Sequence, residues 1–226
     1  VRDGQAYGEN AAEYEGPAVI ALVDYGAGNL TSVRKALATL GAGNFTPRHA
    51  GEIAAANGVI VPGVGHFATT HALGDDWREA IQVALARGAA LFGICLGMQW
   101  LFDGSEEAPD VHGLGVFSGR CHRLDAAGPP RDAQMNRRAL KVPHVGWNSL
   151  EQPRDTAIMR GVPTGAHVYF THSYVAPVVA DTAAVTCYGV EFSAAVARQR
   201  IAGVQFHPEK SGDVGLRILR NWLESL

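Results

Sequence analysis

Gly93-Ile94-Cys95-Leu96-Gly97 decides how this chain is read. It is entered from the apolar run Ala89-Ala90-Leu91-Phe92 and left through Met98-Gln99-Trp100-Leu101-Phe102. The apolar run suits a short buried strand, and the residues after Gly97 can start a helix. A single polar residue stands at the junction with a glycine two positions away on each side. This is the Gly-x-nucleophile-x-Gly elbow, with cysteine where serine is more familiar. A strand that turns at once into a helix crowds its neighbours, so the flanking positions take only a hydrogen side chain. The turn presents the thiol and sets the next backbone N–H, that of Leu96, at a helix start, where it favours a thiolate and a developing oxyanion. Taken alone, the pattern is equally compatible with a small hydrophobe buried at a strand end.

A catalytic cysteine needs a base, and the chain offers one late. Ile201-Ala202-Gly203-Val204-Gln205-Phe206 reads as a strand running into His207-Pro208-Glu209-Lys210-Ser211. His207 and Glu209 are two apart in a stretch that Pro208 stiffens, so an extended backbone points both side chains the same way. The carboxylate can then hold the imidazole in one tautomer while its other nitrogen takes the thiol proton. A surface His-Pro-Glu turn is the plain alternative, but it leaves the elbow unexplained.

The remaining sequence narrows the class. The 226 residues, 47% of them apolar, suit one domain with a substantial core. A net charge of −3 gives no sign of a nucleic-acid or membrane-surface protein. Cys95, Cys121 and Cys187 have no metal-ligand or disulfide spacing, so neither metal nor cofactor is expected, and an odd thiol count suits a reducing, cytoplasmic compartment. No apolar stretch approaches the ~20 residues of a membrane-spanning helix. Residues 1–17 are polar and acidic, unlike a signal or transit peptide, and read as a disordered leader or an expression remnant preceding a domain at 18–226.

Short apolar runs alternate with helical patterns as far as Cys95. Strands are expected at 19–23 and 58–61, with a Gly-rich turn at 24–29, a helix running to Leu40 and an amphipathic helix at 75–87. That alternation implies an α/β fold with a parallel sheet wound by helices. Residues 111–204 are strand-rich, an antiparallel extension or lid, and 213–226 form a helix with Leu216, Leu219, Trp222 and Leu223 near one face. The stretch 126–131 reads as a mobile loop. Asp24-Tyr25-Gly26-Ala27-Gly28-Asn29 lacks both the third glycine of a dinucleotide loop and the Lys-Ser/Thr of a P-loop. Pro62-Gly63-Val64-Gly65 ends a strand at the sheet edge that also carries Cys95. A backbone N–H of Val64 or Gly65 there can complete an oxyanion hole with that of Leu96, although a plain tight turn fits as well.

The elbow Gly93-Ile94-Cys95-Leu96-Gly97-Met98-Gln99 together with His207-Pro208-Glu209 resembles the class I, triad-type glutamine amidotransferases. Asp24-Tyr25-Gly26-Ala27-Gly28-Asn29-Leu30, Val142-Pro143-His144-Val145-Gly146-Trp147-Asn148 and Tyr169-Phe170-Thr171-His172-Ser173-Tyr174 narrow this to the glutaminase subunits of imidazole glycerol phosphate synthases of histidine biosynthesis. The resemblance runs from about residue 19 to the end of the chain. It implies a flavodoxin-like three-layer sandwich with a central, mostly parallel sheet and an antiparallel extension. It assigns Cys95 as nucleophile, His207 as base and Glu209 as orienting carboxylate. The resemblance further implies that Gln99 and Glu107 contact the substrate glutamine, that His172-Ser173-Tyr174 bind it through their backbone, and that the turn at residues 63–65 is an oxyanion strand that rearranges before catalysis. It also implies a partner, a (β/α)8-barrel cyclase that receives ammonia through a sheltered passage in a heterodimer. His144, Gly146, Trp147 and Asn148 then serve an interface or a signal, or else pack as an aromatic turn. Two places depart from the pattern: His66 stands where a small residue is expected, and the connection 125–139 is long. A subunit serving another pathway, a stand-alone thiol hydrolase and a non-catalytic binding module are the competing readings.

Overall fold

The computed structural model describes residues 19–124 and 140–226; the expected leader at 1–17, the loop at 126–131 and the long connection at 125–139 lie outside the described residues. The chain runs β1 (Val19–Leu22), α1 (Leu30–Thr39), β2 (Gly43–Phe45), β3 (Gly58–Val61), α2 (Asp75–Ala86), β4 (Ala90–Ile94) and α3 (Leu96–Trp100). It continues through β5 (Phe102–Ser105), β6 (Ala108–His112), β7 (Phe117–Arg123), β8 (His144–Leu150), β9 (Ala166–His172) and β10 (Tyr174–Val175). β11 (Thr182–Tyr188), β12 (Val190–Arg198), β13 (Ile201–Val204) and α4 (Gly212–Leu223) complete it.

The central sheet has the order β11-β12-β13-β4-β3-β1-β2. From β13 to β2 every pair is parallel, and β11 and β12 add an antiparallel edge. Period-two alternation makes it the middle of three layers. Ile20, Leu22, Ile60, Phe92 and Ile94 pack on one face with Val33 and Leu37 of α1 and Ile218, Leu219 and Trp222 of α4. Ala21, Val23, Val59, Val61 and Leu91 pack on the other with Ile81 of α2 and Met98 and Trp100 of α3. Each such fully buried aliphatic side chain contributes about 1.5–3 kcal/mol. Asn29 caps α1 by accepting the Ser32 N–H at 3.2 Å, and Asp75 and Asp76 occupy the first turn of α2, where negative charge is favoured.

Parallel register gathers the site. Val204 pairs with Ile94 and Val61 with Gly93, so the chain segments that leave β3, β4 and β13 emerge side by side at one sheet edge. A second sheet, β10-β7-β5-β6, and the antiparallel pair β8–β9 stand over that edge. The expected turn through Pro143 to Asn148 is instead the start of β8. A glycine and mixed polarity hid the strand, in which His144 is buried while Val145 and Trp147 are exposed. No helix among the described residues is long and apolar enough to cross a membrane.

Candidate active site

Cys95 occupies the junction of β4 and α3 with φ +53°, left-handed space that a non-glycine residue enters only where surroundings enforce it. Here the enforcement comes from both sides of the turn. Its N–H donates to Val204 O at 2.7 Å, and its carbonyl accepts the Gln99 N–H at 3.1 Å. A Cβ on Gly93 would lie 2.7 Å from the Gly97 carbonyl, and one on Gly97 would overlap Val61 O. Both elbow glycines are therefore demanded by close approach of backbone.

His207 follows β13 and is 2% exposed. Its Nδ1 lies 2.8 Å from Glu209 Oε1, and its N–H donates to Tyr169 O at 2.9 Å. Pro208 does not prolong the strand. It starts a tight 3-10 turn, Pro208–Lys210, which brings the carboxylate back to the ring instead of alongside it. Burial by itself would lower the imidazole pKa. Hydrogen bonding and charge from Cys95 and Glu209 outweigh it and raise the pKa to about 10, although Nε2 has no hydrogen bond of ordinary geometry.

The turn after β3 lies against the elbow. The Leu96 N–H, expected as an oxyanion donor, is occupied: it donates to Gly63 O at 3.3 Å. Among the described residues the N–H groups of Val64 and Gly65 make no hydrogen bond. Gly65 (φ +118°) lines the cavity over Cys95, whereas Val64 turns outward and is 38% exposed. Behind the turn, the Tyr25 hydroxyl is buried without a partner where a Cβ on Gly63 would clash with it. His66 caps the next short turn, accepting the Ala68 N–H at 3.1 Å, and the Phe67 N–H donates to Glu107 Oε2 at 2.7 Å.

The cavity, about 180 Å³, is lined by Gly65, Cys95, Leu96, Gln99, Glu107, Pro143, Thr171, His172, Ser173 and Tyr174. Two chains of hydrogen bonds meet at Tyr174 O, which accepts Gln99 Nε2–H at 2.9 Å and His172 Nδ1–H at 3.1 Å. A carbonyl only accepts, so His172 keeps its proton on Nδ1 and receives the His144 Nδ1–H at Nε2 over 3.2 Å. Asn148 completes this branch at 3.4 Å from His144 Nε2. Burial lowers the His144 pKa to about 4. Burial, followed by the neighbouring His144, lowers that of His172 to about 3, and both rings are neutral at physiological pH.

The description "Glutamine amidotransferase class-I" matches residues 21–226. The chain belongs to the class-I glutamine amidotransferase family. A relative from Moorella thermoacetica, "Imidazole glycerol phosphate synthase subunit HisH", is 45% identical over 91% of this chain and 94% of its own. Proteins of the same name from Natronomonas pharaonis and Deinococcus radiodurans are 44% and 42% identical, each over 92% of this chain and 94% of its own. Among solved structures, PurLQS from Thermotoga maritima aligns with TM-score 0.68 at 17% identity, over 92% of this chain and 99% of that one. That likeness speaks for the fold alone.

In this amidotransferase the elbow thiol, Gln99, Glu107 and the segment His172-Ser173-Tyr174 line one cavity, and His207 with Glu209 follows the strand that pairs with the one leading into Cys95. The structure does not bring Val64 into the cavity, and it turns the His144 ring inward, leaving Val145 and Trp147 as the exposed apolar side chains at that end of β8. Sequence reasoning passed over Gln205, whose Nε2 lies 3.5 Å from Cys95 Sγ, and Thr171, whose carbonyl is 4.0 Å from it. Gln205 did carry a signal, being a lone amide in an otherwise apolar strand run two residues before His207.

Proposed function

We propose that Cys95 is the nucleophile, His207 its proton-transfer partner and Glu209 the carboxylate that orients the ring. The observation that carries this is the strained elbow cysteine facing an imidazole that Glu209 holds at 2.8 Å. The Cys95 sulfur attacks the carboxamide carbon of glutamine. The protonated ring gives its proton to the departing nitrogen, so that ammonia leaves and a γ-glutamyl thioester remains. The same ring then takes a proton from water, which attacks the thioester, and glutamate and the thiol are released. Glu107 suits the substrate ammonium, and Gln99 with the backbone of residues 172–174 positions the amino-acid end.

On this reading the chain is the glutaminase subunit of imidazole glycerol phosphate synthase, acting in histidine biosynthesis. The oxyanion is met by Leu96 N–H with a donor from Val64 or Gly65. While Gly63 O occupies the Leu96 N–H the hole is incomplete, so the free subunit rests in a slow form. A barrel-shaped cyclase subunit turns that strand and receives ammonia sheltered from water, which would protonate it. Exposed Trp147 and Val145 on β8 suit that contact, and three free thiols suit the cytoplasm. Glutamate release is measured with and without the cyclase and its nucleotide ligand, beside a Cys95→Ala control. Slow release alone, a large rise with the liganded partner and none in the control is the expected result. Full activity without any partner would favour a stand-alone thiol hydrolase.

A further inference from the structure

Gln205 is fully buried, and its amide lies between Gln99 and the reactive thiol. Strand register puts it there: Val204 pairs with Ile94, so the next residue of each strand, Gln205 and Cys95, stand side by side. A buried amide is costly unless its polar atoms are used, and here both ends are engaged. Oε1 accepts Gln99 Nε2–H at 3.0 Å, and Nε2 reaches Cys95 Sγ at 3.5 Å.

The direction of that last contact follows from a group that cannot reverse. Tyr174 O only accepts, so Gln99 presents its NH2 to it. The same NH2 faces Gln205 and requires an acceptor, which fixes Gln205 Oε1 on that side and its NH2 toward sulfur. Reversing Gln205 would set two donors against each other, and reversing Gln99 as well would set two carbonyl oxygens against each other. A backbone carbonyl on β10 thus dictates, through two side chains, that sulfur receives a hydrogen-bond donor.

We infer that Gln205 is a further catalytic residue, which donates to Cys95 Sγ and stabilises the thiolate before attack. The inference rests on the reading of Cys95 as the nucleophile. The donor acts a second time when water attacks the thioester, because the sulfur then leaves as a thiolate and the bond to it strengthens as charge returns.

The test is the pH profile of Cys95 alkylation by iodoacetamide, read by peptide mass spectrometry so that Cys187 and the buried Cys121 are counted separately. It is run on the full chain and on Gln205→Met, which keeps bulk but no donor, and Gln205→Glu, which keeps shape but places a carboxyl oxygen at sulfur. Hydrogen bonds to charged groups are among the stronger ones, so Gln205→Met is expected to move half-maximal alkylation up by about one pH unit. At neutral pH that is roughly tenfold slower labelling, with kcat for glutamine down by a similar factor and KM unchanged. Gln205→Glu moves the profile further the same way, and it carries the test if Gln205→Met does not fold. A folded variant of lower melting temperature with the unaltered alkylation profile would show a packing role only and overturn the inference. A Cys95 that stays unlabelled at every pH while Cys187 reacts would instead overturn the nucleophile assignment, and this inference with it.

Discussion

The proposed triad side of the site and the proposed oxyanion side are built differently, although they touch. Cys95 and His207 sit at the ends of adjacent parallel strands, pinned by Cys95 N–H to Val204 O at 2.7 Å, His207 N–H to Tyr169 O at 2.9 Å and Glu209 at 2.8 Å. Residues 63–65 form a glycine-rich turn attached to the elbow by the Gly63 carbonyl at 3.3 Å, with the Val64 and Gly65 N–H groups uncommitted among the described residues. Cys95 and His207 are therefore held in place by the sheet, whereas the proposed oxyanion donors depend on the orientation of one peptide plane. Rotating that plane breaks one weak hydrogen bond; displacing the triad means breaking sheet register. On the proposed reading, control falls to the side with the weaker attachment.

Perturbing the two sides separately tests this contrast. The largest effect is expected from Cys95→Ala, which removes the proposed attacking atom and lowers glutamate release by at least ~10⁴-fold, with or without the partner, while the melting temperature hardly changes. Glu209→Gln keeps the shape but loses the charge that holds the ring, and about 10²–10⁴-fold in kcat is expected to go with it. Gly97→Ala strikes the rigid side through the fold. Its Cβ would overlap the Val61 carbonyl, so urea unfolding should report a loss above ~3 kcal/mol or no folded protein at all.

The histidine pair beneath the cavity predicts an acid limit. Unfolded histidine titrates near pH ~6.5, whereas native His144 titrates at about 4 and His172 at about 3. Between those values only the unfolded chain takes up these protons, so stability falls as pH falls, by up to ~1.4 kcal/mol per pH unit for each ring. His207, raised to about 10, has its stabilising contribution intact below pH ~6.5 and loses it only as pH rises toward 10, so it does not mask this slope. Unfolding free energies at pH 7, 6 and 5 measure the slope, and His144→Gln should reduce it by about half. The smallest effect belongs to the turn at residues 63–65. A Cβ on Gly65 meets nothing within 4 Å, but φ +118° strains it, so Gly65→Ala should cost only ~1 kcal/mol of stability. Its consequence should appear in the partner-stimulated rate and hardly at all in the melt.

Much of the site was legible because it is local. The elbow glycines, the His207–Glu209 spacing and the short continuous apolar runs at 19–23, 58–61 and 89–92 are contained in a few consecutive residues, where backbone sterics leave little choice. Even so, local reading took His207-Pro208-Glu209 as extended, when a 3-10 turn joins the two side chains, and took the start of β8 as a turn. In both places a tertiary neighbour settled which of two permitted backbones was used: the Tyr169 carbonyl receives the His207 N–H, and β9 pairs with β8 along its whole length.

By itself, then, the sequence determined a parallel α/β plan and, through its family resemblance, the three-layer fold, and it singled out the elbow strand and the candidate residues around it. Three things were decided only in the folded chain. Gln205 meets Cys95 because β13 lies parallel to β4, His144 meets His172 because β8 and β9 pair in that register, and Leu96 N–H is occupied because the Gly63 peptide faces it. The physical reason is common to all three. A strand's composition says that it will pair but not with which partner or in which register, and a glycine peptide adopts either orientation at nearly equal local energy, so the neighbours decide.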